Sequence, residues 1–502
     1  MTAADRSINL SLISHTNAGK TTLTRTLLRR DVGEVRDAPH VTDLATAYVM
    51  VEAADGAALR LWDTPGFGDT ARLMRRLKLA GNPLGWLLTQ VWDRYTDRPF
   101  WCSQQAIRNV KEEADIVLYL VNAAEAPGDA AYVTMELQIL EWIGRPVILL
   151  LNQMGPPRPQ AEEAAEVEQW RTHVQAYGFA HQVLRLDAFA RCWVQESVLL
   201  KAMGELLPAD RHGLFRQLSA AWRSTNTKIF DESMRVLAEQ LVAAAHDEVV
   251  LAEKSLGGRI LERLASFIRE TATVSERERA MATLAERLDG EIRRATDRLI
   301  RLHGLQGHAA GEVLQRLTDD YASTEPLAEG YAALVGGFVS GALSGLAADI
   351  ASGGLTFGAA ALGGGLLGAL GAGSIARGYN LVSGREHSTL RWSDEFCVGL
   401  VRSALLRYLA VAHYGRGRGD YAQGEHPRFW RETVAAAVEP RQNQLAEILL
   451  PARRTGGDPA TARDRMAAAL ADCAADVLRD LYPEADVLTD QGRARRGAKS
   501  GK

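Results

Sequence analysis

Short apolar runs and helical patterns alternate along the N-terminal part of the chain, and then the alternation stops. Ile8–Ile13 reads as a strand, followed at once by a Gly-Lys-Thr turn and the helical run Thr22–Arg30. Ala47–Val51, Ala58–Trp62, Ile116–Val121, Pro146–Leu151 and Gln182–Leu186 read as further strands. Those at 116–121 and 146–151 are apolar at successive residues, as expected of central strands covered on both faces. This alternation predicts an α/β domain with a mostly parallel sheet over 1–208.

Beyond it the pattern becomes all-α. Residues 212–325 are rich in Ala, Leu, Glu and Arg at helical spacing, as in Leu256, Ile260, Leu264 and Phe267. The capping box Ser275-x-x-Glu278 opens a helix expected to reach about Leu302. Residues 209–328 therefore read as a helical domain. Helical patterns over 388–413 and 459–481 make 379–490 a C-terminal helical region, and the basic tail 491–502 is expected to be disordered.

The segment 329–378 stands apart. From Tyr331 to Ala376 the one charged residue is Asp349, which leaves uncharged stretches near the length that spans a bilayer. Glycines recur at four-residue spacing (Gly337, Gly341, Gly345; Gly354, Gly358; Gly364, Gly368), and this lets two helices pack closely. The expectation is a Gly/Ala-rich apolar helical hairpin turning at Ser352-Gly353-Gly354. Two settings stay open: a hairpin dipping into or across the bilayer with both flanks cytoplasmic, or one buried in a soluble helical domain. The scarcity of Leu, Ile and Phe relative to Gly and Ala keeps its insertion energy modest.

Composition narrows the classes. At 502 residues the chain exceeds one compact core. A net charge of −4 gives no reason to expect a polyanion partner for the whole molecule. Cys102, Cys192, Cys397 and Cys473 form no CxxC pair, which argues against a zinc site or disulfide framework and fits a reducing compartment. No basic region followed by an apolar stretch opens the sequence, so a cytoplasmic protein is expected, peripheral to or hairpin-inserted at the inner membrane if the apolar segment engages lipid.

Candidate chemistry begins at the first strand–helix junction. Ser14-His15-Thr16-Asn17-Ala18-Gly19-Lys20-Thr21 matches G-x-x-x-x-G-K-[ST] except for Ser14 in place of the first glycine. Such a loop aims backbone N–H groups at a β-phosphate, and the helix N-terminus behind it favours the anion. Ala18, Gly19, Lys20, Thr21 and Thr22 are the expected phosphate contacts, with Lys20 neutralising β/γ oxygens and the Thr21 hydroxyl ligating Mg²⁺. Asp63-Thr64-Pro65-Gly66 follows an apolar run, which places Asp63 at a strand end to hold Mg²⁺ through water and Gly66 N–H at the γ-phosphate. Between them, Pro39-His40-Val41-Thr42 offers Thr42 to complete the Mg²⁺ shell. Lys20, Thr42 and Gly66 are the candidate catalytic residues.

INLSLISHTNAGKTTL, PHVT and LWDTPGFGD resemble the Era/TrmE-type bacterial GTPases, whose patterns are N-x-G-K-[ST], P-x-T-T and D-T-x-G. The resemblance covers about 1–200. The remainder resembles the appended region of a bacterial GTPase-like family of unknown physiological role, through stretches such as Leu186-Asp187-Ala188-Phe189-Ala190-Arg191-Cys192-Trp193. It implies GTP and GDP as ligands, Mg²⁺ as cofactor, and a hydrolysing switch. Asn17 stands where several such enzymes use asparagine to help bind K⁺ beside the phosphates; equally, asparagine tolerates the loop's backbone geometry. Phe67 replaces the water-orienting glutamine of Ras-like enzymes, so hydrolysis must rely on backbone groups, a cation, or the partner in a nucleotide-dependent dimer.

The base-reading motif departs from N-K-x-D. Asn152-Gln153-Met154-Gly155 keeps the asparagine and lacks the carboxylate, which leaves GTP against ATP open on the residues alone. Asp187-Ala188-Phe189 is a weak match to the later specificity loop, and Asp187 is an alternative source of the carboxylate. Residues 67–113, with Trp86, Trp92, Phe100 and Trp101, form an insertion read as a helical subdomain with an aromatic core, or as a nucleotide-responsive surface.

The leading expectation is a switch whose helical half engages membrane or a membrane protein. A ribosome- or RNA-associated GTPase is weaker, because no GxxG-bearing KH pattern or aromatic RNA-binding motif appears. A nucleotide-holding scaffold with negligible turnover is the third reading. Gly415-Arg416-Gly417-Arg418-Gly419 and Arg493, Arg495, Arg496, Lys499 and Lys502 could touch anionic lipid or RNA, or be solvated only.

Overall fold

A computed structural model describes residues 6–30, 32, 45–79, 81–89, 97–155, 158, 160–178, 180–188, 192–251, 276–305, 379–383, 388–414, 428–452 and 458–487. The chain divides into two compact units: 1–228 with 412–427 and 478–502, and 229–411 with 428–477.

The first unit is built on six strands: β1 (Ser7–Ser14), β2 (Thr46–Glu52), β3 (Ala58–Asp63), β4 (Ile116–Asn122), β5 (Val147–Asn152) and β6 (Ala180–Arg185). Their order is β2-β3-β1-β4-β5-β6, and only β2 runs antiparallel to its neighbour. Each expected strand is present, within a residue or two of its predicted bounds. The continuous apolar runs follow from two-sided burial. Val117, Tyr119, Val121, Val147, Leu149 and Leu151 enter one core with Ile13, while the alternating Leu118, Leu120, Ile148 and Leu150 are buried as well.

Helices α1 (Lys20–Leu28), α2 (Thr70–Leu77), α3 (Pro83–Thr89), α4 (Arg98–Glu112), α5 (Ala131–Ile143), α6 (Gln160–Val174) and α7 (Trp193–Leu206) connect the strands or follow them. Leu73, Met74 and Leu77 of α2, Ile107 and Val110 of α4, and Val133, Leu137 and Leu140 of α5 share the first core. Phe100 of α4 joins that core too, with the Arg72 and Arg76 guanidiniums 4.5 and 4.6 Å from its ring centroid. The segment after Gly66 is thus helical as expected, but its apolar residues complete the domain's own core, because α4 packs on β1 and both α2 and α4 pack on α5. Trp92 lies outside the described residues.

Helix α8 (His212–His246) begins in the first unit and ends in the second. The second unit continues with β7 (Glu248–Leu251), α9 (Glu276–Leu302), β8 (Tyr379–Ser383), β9 (Ser388–Trp392), α10 (Asp394–Ala412), α11 (Arg428–Val438), α12 (Gln442–Ala452) and α13 (Pro459–Leu481). It is dominated by helices, with an antiparallel three-stranded sheet in the order β7-β9-β8. The helical reading of 388–413 therefore needs correction: residues 388–392 are strand, and the helix starts after Ser393. Thr-Leu-Arg-Trp (389–392) alternates polar and apolar side chains, and the strand satisfies its backbone through β7 and β8. Ser393 then caps the helix, its Oγ accepting from Phe396 N at 3.1 Å. Partners so distant in sequence leave no local periodicity to read.

Arg407 of α10 is fully buried and knots three helices. It donates to Gln240 Oε1 on α8, and to Thr296 Oγ1 (3.2 Å) and Ile292 O (3.3 Å) on α9. Beside it, the rings of Tyr408 and Phe230 meet edge to face at 5.8 Å. Among the described residues no helix is long and apolar enough to cross a membrane. The expected hairpin over 329–378, Leu256 to Phe267, Ser275, the 415–419 run and the basic tail all lie outside the described residues.

Candidate functional site: the phosphate loop and its supports

The loop from His15 to Gly19 turns off β1 into α1 at the carboxyl end of the central strands, where open α/β sheets leave a crevice for ligands. Two residues hold left-handed backbone: Asn17 at φ +64° and Gly19 at φ +89°. Gly19 is further constrained by space, since a Cβ there would come 2.7 Å from Asn152 Nδ2. The first i→i−4 bond of α1 runs from Leu23 N to Gly19 O at 2.9 Å. The N–H groups of Lys20, Thr21 and Thr22 thus precede the helical ladder, at the positive end of the helix dipole.

Lys20 is buried, and its Nζ donates to Ser14 Oγ at 2.8 Å and more weakly to His15 O at 3.4 Å. This accounts for the serine in place of the first loop glycine: its hydroxyl holds the ammonium. Burial lowers the Lys20 pKa to about 8, against the opposing pull of the Asp63 and Glu136 carboxylates. Gly66 lies against the same ammonium, where a Cβ would meet Lys20 Nζ at 2.9 Å and Thr16 Cα at 3.1 Å. The DTPG glycine and the phosphate loop therefore touch through backbone.

At the end of β3, Asp63 is buried and its Oδ2 accepts from Thr21 Oγ1 at 2.8 Å. Its Oδ1 is buried without a hydrogen-bond partner. Burial raises the Asp63 pKa to about 6, although the Thr21 hydrogen bond and the Lys20 charge oppose it. A hydroxyl and a half-satisfied carboxylate side by side are a hard-oxygen donor set that fits Mg²⁺. Thr42 lies outside the described residues.

Phe67 is not in the phosphate crevice. It is fully buried in the core, and its N–H donates to Ser14 O at 2.9 Å, extending the β1–β3 pairing by a bridge to His15. Its side chain serves packing, and its backbone fixes the loop.

A second layer of support went unread in the sequence. Glu136 of α5 is fully buried and gathers three partners. Its Oε1 takes His15 Nδ1 at 2.7 Å and Thr70 Oγ1 at 2.8 Å, while Oε2 accepts from Tyr119 OH at 2.8 Å. The His15 ring stacks on Tyr132, centroids 4.4 Å apart. One carboxylate thus ties the phosphate loop, the first turn of α2 and strand β4. The available signal was a lone Glu on the apolar face of α5, three residues after Val133 and four before Leu140.

On the other flank, Asn152 Nδ2 donates to Ala18 O at 2.8 Å, and its Oδ1 accepts from Ala188 N at 2.8 Å. Asp187 Oδ2 accepts from Met154 N at 2.9 Å. The sequence-predicted residues Asn17, Ala18, Gly19, Lys20, Thr21, Thr22, Asp63, Gly66 and Asn152 therefore converge on one crevice.

Two predictions follow from these geometries. Above pH of about 8 the unliganded Lys20 loses its proton, so a polyphosphate must bring one back on binding; below about 6 Asp63 holds a proton that Mg²⁺ must displace. Mg²⁺–nucleotide affinity is expected to peak between those limits and fall by up to about tenfold per pH unit outside them. Calorimetric titration across pH checks this, and a flat profile refutes it. Replacing Glu136 by Ala strands two buried hydroxyls and the part-buried His15 ring, and is expected to cost about 3–5 kcal/mol, against about 1 kcal/mol for Tyr119→Phe. Denaturant melts of both variants measure the difference, and a Glu136→Ala protein of unchanged stability would contradict the latch.

Residues 9–153 match the family model described as 50S ribosome-binding GTPase (MMR_HSR1), and they form a P-loop GTPase domain. Solved structures similar to the chain include Era in complex with MgGDPNP and a stretch of 16S ribosomal RNA, at 14% identity and TM-score 0.31 over 60% of this chain and 90% of that one. Aquifex aeolicus Era bound to GDP·AlF4⁻ aligns at 13% identity and TM-score 0.31, over 60% and 99%. Toc33 from Arabidopsis thaliana in complex with GDP and Mg²⁺ aligns at 15% identity and TM-score 0.21, over 37% and 73%. Likeness at these levels carries no functional weight. No curated protein matches the chain. Residues 171–474 match the family model described as a domain of unknown function, DUF3482, and with more than half of its length covered the chain belongs to the DUF3482 family.

Proposed function

We propose that the chain is a Mg²⁺-dependent GTP-binding and hydrolysing switch. The observation that carries this reading is the Thr21–Asp63 pair set beside the buried Lys20 ammonium, with one Asp63 oxygen left unsatisfied. Lys20 and the N–H groups opening α1 hold the β- and γ-phosphates. Thr21 and Asp63 hold Mg²⁺, with Thr42 as its third protein contact, and the ion neutralises phosphate charge when bound. Gly66 gives the segment that leads into α2 a direct sense of the γ-phosphate. Motion of that segment is resisted by Thr70 on Glu136 and by Phe67 in the core. Nucleotide state is therefore converted into a two-position equilibrium of α2.

With Phe67 buried, no side chain at that position orients water. Hydrolysis then depends on backbone groups and on a cation at Asn17 or a dimer partner, and intrinsic turnover is slow. The left-handed backbone of Asn17 suits a loop that exposes its carbonyls, and it also suits asparagine for conformational reasons alone. The full-length chain is expected to bind GTP in Mg²⁺ and to hydrolyse it faster in KCl than in NaCl. Asn17→Ala should erase that difference, and Lys20→Ala should weaken binding by about 100-fold. Single-turnover assays decide among outcomes: equal rates in both salts remove the K⁺ site, and binding with no turnover leaves a scaffold.

The helical half engages membrane or a membrane protein in this proposal, through the Gly/Ala-rich stretch 331–376. Its support is the charge-poor length and the four-residue glycine spacing of that stretch. Full-length protein should float with anionic liposomes and resist carbonate extraction, whereas a variant with Leu343→Arg and Leu366→Arg should not. A wild-type protein that stays wholly in the soluble fraction refutes insertion.

A further inference from the structure

The γ-phosphate site proposed above has two walls from different parts of the chain. One is the phosphate loop with Lys20; the other is Gly66, four residues before α2 begins. Binding strength comes mainly from the loop side, where the ammonium, the opening N–H groups of α1 and Mg²⁺ meet the phosphates. Hydrolysis asks for more, because a misplacement of about 1 Å among reacting groups can cost about 100-fold in rate. Whatever fixes one wall against the other therefore governs rate more than affinity.

Glu136 holds both walls at once. Its Oε1 receives His15 Nδ1 of the loop at 2.7 Å and Thr70 Oγ1, from the first residue of α2, at 2.8 Å. The two walls thus share a single acceptor atom. That carboxylate is fully buried on α5, and its Oε2 accepts from Tyr119 OH on β4 at 2.8 Å. The His15 ring is braced on Tyr132, with centroids 4.4 Å apart. From Gly66 to Thr70 the chain is tied at successive residues. Phe67 N donates to Ser14 O at 2.9 Å, Gly68 N to Ser103 Oγ at 3.1 Å, and Asp69 caps α2 by accepting from Arg72 N at 2.9 Å. A shift of Thr70 is therefore passed to Gly66. An apolar side chain at 136 would pack this face of α5 without the desolvation cost of a carboxylate, so packing alone does not call for glutamate.

We propose that Glu136 is a positioning residue for GTP hydrolysis, holding the phosphate loop and Gly66 in the register that the reaction requires. The inference rests on the GTPase reading above and names a determinant of rate in that same site. Glu136 acts through His15 and Thr70 and needs no contact with nucleotide. With Phe67 buried, backbone placement at Gly66 carries more of the alignment than it would beside a water-orienting side chain. The three bonds to the carboxylate therefore divide by task. Those from His15 and Thr70 lie on the path between the walls, whereas that from Tyr119 anchors the carboxylate to the sheet.

The test is single-turnover GTP hydrolysis by the full-length protein, with GTP affinity and thermal midpoint measured on the same samples. Thr70→Val removes one hydroxyl and leaves Oε1 its bond from His15. Its rate should fall about tenfold while GTP affinity stays within about threefold of wild type. Thr70→Ser restores the hydroxyl and should restore the rate. Tyr119→Phe leaves a buried oxygen unsatisfied, so it should cost at least as much stability as Thr70→Val and yet keep the wild-type rate. His15→Phe keeps a ring on Tyr132 without the hydrogen bond, and should slow hydrolysis by a similar factor. Either change breaks the same tie, so the His15→Phe, Thr70→Val double variant should also be slowed only about tenfold, against about 100-fold for independent effects. A Thr70→Val protein with the wild-type rate overturns the inference. So does one whose rate and affinity fall together, a Tyr119→Phe protein as slow as Thr70→Val, or a double variant slowed about 100-fold. Thr70→Val decides the matter even where His15→Phe fails to fold. These outcomes leave the GTPase reading intact, whereas a wild-type chain that binds GTP without turnover overturns the inference and hydrolysis together.

Discussion

Everything in the phosphate-binding half is arranged around ionisable groups held at the end of an apolar sheet. Lys20, Asp63 and Glu136 are all buried, and a charge in such surroundings persists only with partners at hydrogen-bond distance. Each finds them differently. Lys20 borrows the Ser14 hydroxyl, Asp63 the Thr21 hydroxyl, and Glu136 the trio His15, Thr70 and Tyr119. Loop shape, the approach of Gly66 and the seat of Phe67 all follow from keeping these groups solvated by protein.

The three are not equally satisfied, and the inequality has functional content. Glu136 is saturated, so it fixes the loop to α2 and β4. Asp63 keeps an orphan oxygen, and Lys20 rests on one good acceptor and one long one. Burial shifts both toward their neutral forms.

Beside the crevice, Asn152 couples the phosphate loop to the loop after β6 through one hydrogen-bond circuit. The second unit uses the same economy: buried Arg407 gathers acceptors from two other helices. Polar knots of this kind specify register among helices whose apolar faces alone would tolerate sliding.

The sequence by itself determined the sheet, the phosphate loop and the order of its companions. Each depends on local signals: successive apolar residues at 116–121 and 146–151, and a Gly-Lys-Thr turn between a strand and a helix. The helix over 459–481 was legible for the same reason. Only the tertiary structure decided that Phe67 faces the core, that 388–392 is a strand, and that Glu136 belongs to the site. In each case the deciding partner lies far away in the chain: the α2–α5 core for Phe67, β7 and β8 for the strand, His15 for Glu136. Periodicity reports which face a residue occupies, whereas a hydrogen bond across more than a hundred residues depends on where the fold brings the other end.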